Sequence, residues 1–232
     1  FSPHWHFLQI REQLVKHFAR VVLGRVPASE IGWYFRYAFG RRSKQWYYSL
    51  FEKSGNRITG DISPLYYHLS EEAVGKIARY NPQIRIILLV RDPVSRAWSK
   101  VRMNLLRHRN RKFLEVPENE FRHAFSSIRR EWISYSTTAG IWKKFFTNVH
   151  IGFFDDLKQD PESFFTDILA FLGAKQVEKI RLPERKTNEG LPVEMPESFR
   201  SLLVEQYRDE IIDMQGTPLG KYAGEWARKY DI

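Results

Sequence analysis

The residues Arg85-Ile86-Ile87-Leu88-Leu89-Val90 run directly into Arg91-Asp92-Pro93-Val94-Ser95-Arg96-Ala97-Trp98-Ser99. The apolar run reads as a buried strand that stops on a charge. Asp92 then supplies an N-cap and Pro93 suits the first helical position, so a helix starts at once. Arg91 stands where the strand ends, and Ser95 and Ser99 lie one turn apart on the new helix. Strand end, helix N-terminus, guanidinium and hydroxyl together make a phosphate site, because they offer backbone donors, a fixed charge and a further hydrogen bond. An ordinary strand–helix junction with a surface arginine shows the same pattern, so the residues alone leave both readings open.

Periodicity and punctuation place the elements around this junction. Residues 8–23 suggest a helix, with Leu8, Leu14, Val15 and Phe18 on one side. Ser43 to Glu52 look helical, with Trp46, Tyr47, Leu50 and Phe51 packing inward. Ile58 to Ile62 form a short strand candidate. Ser70 caps a helix to about Tyr80 that carries Glu71 and Glu72 in its first turn. The continuous apolar run from Arg85 to Val90 suits a parallel strand covered on both faces. Its helix continues to about Leu106, and Asn110 to Asn119 read as a polar loop. Helices over roughly 119–133 and 139–146 precede a second strand, Val149 to Phe154, with Tyr135 and Trp142 flanking a helix start at Gly140. Asp160-Pro161-Glu162 opens a helix with Phe164, Phe165, Ile168, Leu169 and Leu172 on its apolar face and Gly173 at its end. Residues 181–195 are charged and hold two prolines, which predicts a mobile surface loop. A last helix spans about Pro196 to Met214. Strands alternating with helices imply an α/β fold, a parallel sheet with helices on both faces.

Composition narrows the function classes. At 232 residues the chain is expected to be a single domain, 1–232, or one domain with a small lobe. No apolar run approaches the length of a membrane span, and the start shows no signal-peptide pattern. With no cysteine, disulfides, thiolate catalysis and Cys-ligated zinc are excluded, and a reducing compartment is favoured. A formal charge of +10 predicts attraction to anions, a nucleotide or nucleic acid among them. The densest basic cluster is Arg102, Arg107, His108, Arg109, Arg111 and Lys112, which reads first as a solvated helix end and second as a rim that attracts a nucleotide or an acidic acceptor. No group of residues has metal-ligand spacing, so no metal is expected.

Several segments, in order, resemble one family. Arg91 with Ser99 eight residues on, inside R-D-P-V-S-R-A-W-S, is similar to the 3′-phosphate motif of sulfotransferases that use PAPS (3′-phosphoadenosine 5′-phosphosulfate). Gly60-Asp61-Ile62-Ser63-Pro64-Leu65-Tyr66 resembles the G-[DE]-x-[ST]-P-x-Y segment of bacterial members and their Golgi relatives. Glu30-Ile31-Gly32-Trp33-Tyr34-Phe35 resembles K-E-I-x-F-F. Phe153-Phe154-Asp155-Asp156-Leu157, with Asp160-Pro161 and Phe171-Leu172-Gly173, resembles the late strand and helix of the family. The resemblance runs from about Arg11 to the end of the chain.

The resemblance implies a three-layer, P-loop-NTPase-like central parallel sheet with helices on both faces. It implies sulfuryl transfer from PAPS to a hydroxyl or amine of a carbohydrate or small-molecule acceptor, leaving adenosine 3′,5′-bisphosphate. Such transfer needs an acceptor in line with sulfur, a base for its proton and cations on the leaving phosphate. By motif position Glu30 and Asp61 are the candidate bases. A surface Glu before a strand and a turn Asp satisfied by backbone N–H groups are the plainer alternatives. Arg91 and Ser99 take the 3′-phosphate by the same match. Arg185 and Lys186 lie where the family has a basic loop over the nucleotide, and a solvated loop explains them as well. The implied location is the cytoplasm of a bacterium, or the Golgi lumen for a fragment of a longer eukaryotic protein.

One family motif is missing. Leu14-Val15-Lys16-His17 resembles the L-x-x-H that follows the 5′-phosphosulfate loop K-x-G-T-[TS]. Counting back puts that loop near His4-Trp5-His6-Phe7-Leu8, which has no Lys, Gly, Thr or Ser. A phosphate loop needs Gly for close backbone approach and a cation for charge. Truncation, a frame shift and true degeneracy all account for this. The expectation is therefore a sulfotransferase with impaired transfer, or the same fold holding a nucleotide or acceptor without turnover. A basic nucleic-acid-binding domain is a third class, and no motif of that class is present.

Overall fold

The structure, a computed structural model, describes residues 31–109, 119, 123, 134–174 and 194–232. The proposed helix over 8–23, most of that over 119–133 and the loop over 181–195 up to residue 193 lie outside the described residues. The chain divides into two compact units, Phe1–Ile62 and Ser63–Ile232.

In the first unit, helix α1 spans Ile31–Phe39 and α2 spans Lys44–Ser49, with a short 3-10 turn at Glu52–Ser54. Ser43 caps α2 by accepting from the Trp46 N–H. Aromatic rings hold the pair together. Trp33 stacks on Tyr37 at 5.4 Å, and the Trp46 indole donates to the Arg36 carbonyl at 2.7 Å. The inward packing expected of Tyr47 does not occur, since it remains exposed and no residue of α2 is buried. Two short helices enclose too little volume to bury that many rings. Ile58–Ile62 is not a strand. It has no ladder partner, and Ile62 is 98% exposed.

The second unit is α/β, with a small parallel sheet among many helices. Helix α3 spans Glu71–Tyr80, with Ser70 as N-cap. Strand β1 spans Ile86–Val90, and α4 follows over Pro93–Arg109. Helix α5 spans Tyr135–Phe145, and β2 spans Val149–Phe153. Then come α6 at Phe154–Gln159, α7 at Pro161–Phe171, α8 at Glu197–Met214 and α9 at Ala223–Tyr230. β1 and β2 pair in parallel, Ile86 opposite Val149 and Val90 opposite Phe153. Leu88 and Val90 face the core, whereas Leu89 on the other face is 51% exposed, so among the described residues that second face of β1 is covered only in part. The cover comes from α7, whose Phe164 lies so close to Gly152 that a Cβ there would be 3.1 Å from its ring.

The core explains the remaining elements. Leu203, Tyr207, Ile211 and Met214 recur at helical spacing along α8 and are essentially fully buried. Tyr135 and Trp142 are buried with them, and Gly140 lies inside α5 rather than at its start. α5 begins earlier because Ser134 accepts from the Thr137 N–H, and because buried Glu210 of α8 accepts from the N–H groups of Tyr135 (2.7 Å) and Ser136 (3.3 Å). That second cap comes from far along the chain, so no local pattern announces it.

Candidate functional site

The site grows from the carboxyl ends of the two parallel strands, where ligands of open α/β sheets bind. β1 stops at Val90 because the next residues are charged. The Arg91 backbone N–H donates to the Tyr135 hydroxyl at 3.3 Å, and the Tyr67 hydroxyl donates to the Leu89 carbonyl at 2.5 Å. Two tyrosines thus satisfy backbone groups that lie alternately along one edge of β1. Burial and Tyr135 together push the Tyr67 phenol well above its usual range.

Asp92 does more than cap α4. Its Oδ1 accepts from the Ser95 N–H at 3.1 Å. Its Oδ2 accepts from the Ser95 hydroxyl (2.6 Å), Lys229 Nζ (2.8 Å) and the Tyr230 hydroxyl (2.5 Å). Burial alone would raise this carboxyl, but the hydrogen bonds from Lys229, Ser95 and Tyr230 overturn that and hold it below the usual carboxylate range. Helix α9 is thereby fastened to the start of α4. The Ser95 proton is committed to Asp92, which leaves Ser99, half-buried one turn on, as the hydroxyl outside this network.

Arg91 points into a cleft of about 190 Å³ whose charged walls are Arg91, Lys158, Lys229, Asp92, Asp155 and Glu225. Its guanidinium lies 4.5 Å from the centre of the Phe154 ring, and its Nε is buried without a hydrogen-bond partner. Burial lowers its pKa, opposed by Asp92, Tyr135 and Asp155. Asp155 faces the same space with a buried, unpartnered Oδ2, and burial raises its carboxyl. Whole-ligand pockets run to roughly 300–1,000 Å³, so this cleft suits one anionic group rather than an entire nucleotide.

Of the residues singled out in the sequence, Arg91 and Ser99 both belong to the β1–α4 junction, and Ser95 rather than Ser99 lines the Arg91 cleft. Asp61 is exposed in the irregular end of the first unit. Glu30, Arg185 and Lys186 lie outside the described residues. Sequence reasoning missed Asp155, Lys158 and Lys229. The first two were findable, because they follow the end of β2 as Arg91 follows the end of β1. Nothing local links Lys229 to this place.

Residues 28–178 match the sulfotransferase family, more than half of the chain. The chain belongs to the sulfotransferase family. No curated protein matches it. Among solved structures it is similar to the crystal structure of a sulfotransferase from Alicyclobacillus acidocaldarius, at 20% identity and a TM-score of 0.60, over 87% of this chain and 79% of that one. At that identity the likeness speaks for the fold. No helix among the described residues is long and apolar enough to cross a membrane.

Proposed function

We propose that the chain transfers a sulfuryl group from PAPS to a hydroxyl or amine of a carbohydrate or small-molecule acceptor, and that Arg91 and Ser99 hold the nucleotide 3′-phosphate. The observation that carries this is Arg91 at a strand end, its Nε buried and unpartnered, lining a cleft of phosphate size inside the region matched by the family. An anion in this cleft would pair with the Arg91 guanidinium, which no carboxylate holds in an ion pair among the described residues. The bound co-substrate supplies the activated sulfuryl group. The chain's residues bind and orient it, and a carboxylate takes the acceptor proton, with Glu30 and Asp61 as the candidates. In this reading residues 1–232 form a single domain, β1 and β2 belong to a three-layer, P-loop-NTPase-like sheet with helices on both faces, and Arg185 and Lys186 are further nucleotide-binding candidates. The parallel β1–β2 pair and the structural likeness support that arrangement.

A second reading is favoured by one sequence feature. His4 to Leu8 offer neither glycine nor lysine where the 5′-phosphosulfate loop is expected, so the chain binds the nucleotide and turns over slowly or not at all. Calorimetry and a sulfate-transfer assay test both. Arg91→Ala should weaken binding of adenosine 3′,5′-bisphosphate by about 2–3 kcal/mol, the scale of a lost hydrogen bond between charged groups. Unchanged affinity in the folded variant would refute the assignment of Arg91. Binding with ordinary turnover supports the enzyme, and binding without turnover supports the second reading.

A further inference from the structure

Arg91 does not account for the whole cleft. Lys158, on α6 just beyond the end of β2, places its Nζ 5.0 Å from the centre of the Phe154 ring, the ring that also carries the Arg91 guanidinium. Both cations lie against one ring, and among the described residues neither is held in an ion pair. Lys229 enters from α9. Its Nζ donates to Asp92 Oδ2 at 2.8 Å and to Ser95 Oγ at 3.2 Å, and its side chain is still 54% exposed. Three cations from three elements therefore converge on one small space.

We propose that Lys158 and Lys229 are further phosphate-binding residues, forming with Arg91 a three-cation receptor for one phosphate group of the nucleotide. The inference rests on the nucleotide reading of Arg91 and adds two ligands that the β1–α4 motif does not contain. Asp92 plays the positioning part. It fixes the Lys229 ammonium in advance, so little side-chain freedom is lost when the anion arrives. A phosphate dianion would give Arg91 and Lys158 the anionic partner that neither has in an ion pair. The opposing charges are Asp155 and Glu225, which line the same walls. Asp155 sets the sign of a discriminating test. If the phosphate sits among these cations, the Asp155 carboxylate repels it, and removing that charge improves binding.

The experiment is calorimetry on the intact chain, with adenosine 3′,5′-bisphosphate as probe and adenosine as the phosphate-free control. Lys158→Ala and Lys229→Gln are each expected to weaken bisphosphate binding about tenfold, the order of one charge-assisted contact. Asp155→Asn is expected to tighten it severalfold. Adenosine binding should be unaffected in all three. Lys158 takes no part in the Asp92 network, so Lys158→Ala and Asp155→Asn decide the matter even if Lys229→Gln loosens α9. The proposal is overturned if Arg91→Ala loses binding while both lysine variants stay within twofold of the parent and Asp155→Asn does not tighten. If the unaltered chain binds no bisphosphate, the nucleotide reading itself fails, and this inference falls with it.

Discussion

Arg91 and Asp92 are neighbours with opposite tasks. Arg91 ends the strand with a guanidinium that keeps an unpartnered donor, which suits binding, whereas every strong contact of Asp92 is internal, which suits holding. The adjacent serines divide the same way. Ser95→Ala should cost stability, about 1–2 kcal/mol for a hydrogen bond to a charged group, and should affect bisphosphate affinity less than it affects stability. Ser99→Ala should do the reverse, weakening binding with little change in melting temperature. Equal effects on both properties would count against this division. Asp92 also predicts a pH dependence. Its folded pKa is held below the ordinary carboxylate value, so its contribution is fully present above about pH 4, the unfolded value, and is lost as pH falls through the folded value. Thermal melts should therefore show the parent losing stability below about pH 4, and Asp92→Asn starting lower with a flatter profile there.

Helix ends show what a sequence reveals and what it hides. Ser70 and the Asp160-Pro161 pair were legible because capping is local chemistry. Each side chain accepts from an N–H three residues on, and the helices start where that pattern says. The β1–α4 junction was legible for the same reason. α5 was misplaced because half of its cap is Glu210, more than seventy residues away in the chain. α9 was not foreseen at all, since its docking depends on Lys229 and Tyr230 meeting a carboxylate on another helix. Half of the candidate cleft was therefore readable, the half built at strand ends, and the half contributed by α9 was not. Glu210→Ala should remove both distant hydrogen bonds from α5 and leave the buried Tyr135 N–H and the half-buried Ser136 N–H without this acceptor, at about 1–3 kcal/mol. Denaturant unfolding measures this. A loss below 0.5 kcal/mol would mean that the Ser134 cap alone suffices, on the scale of about 0.5–2 kcal/mol for one such cap. Gly173 ends α7 in the left-handed region at φ +69°, so Gly173→Ala should cost about 1 kcal/mol even though its Cβ would meet nothing closer than the Arg85 guanidinium at 3.4 Å.

At the scale of the molecule, the charge of the chain and the charge of the cleft do different work. The cleft walls are nearly balanced, with Arg91, Lys158 and Lys229 facing Asp92, Asp155 and Glu225. Such a site holds a phosphate by short hydrogen bonds rather than by a strong local excess of positive charge. The whole chain carries +10, and that excess acts at longer range. The two contributions separate with salt, because the screening length shrinks from about 10 Å at 0.1 M to about 3 Å at 1 M, while direct contacts inside the cleft are screened far less. Association of adenosine 3′,5′-bisphosphate should therefore slow by about tenfold between low and high salt, as steering by net charge is lost. Dissociation should change by much less. Stopped-flow measurement of both rates across a salt series checks this. A dissociation rate that rises as steeply as association falls would show that the contacts in the cleft are themselves exposed to screening, and that the close-contact geometry assigned to Arg91 does not hold the anion.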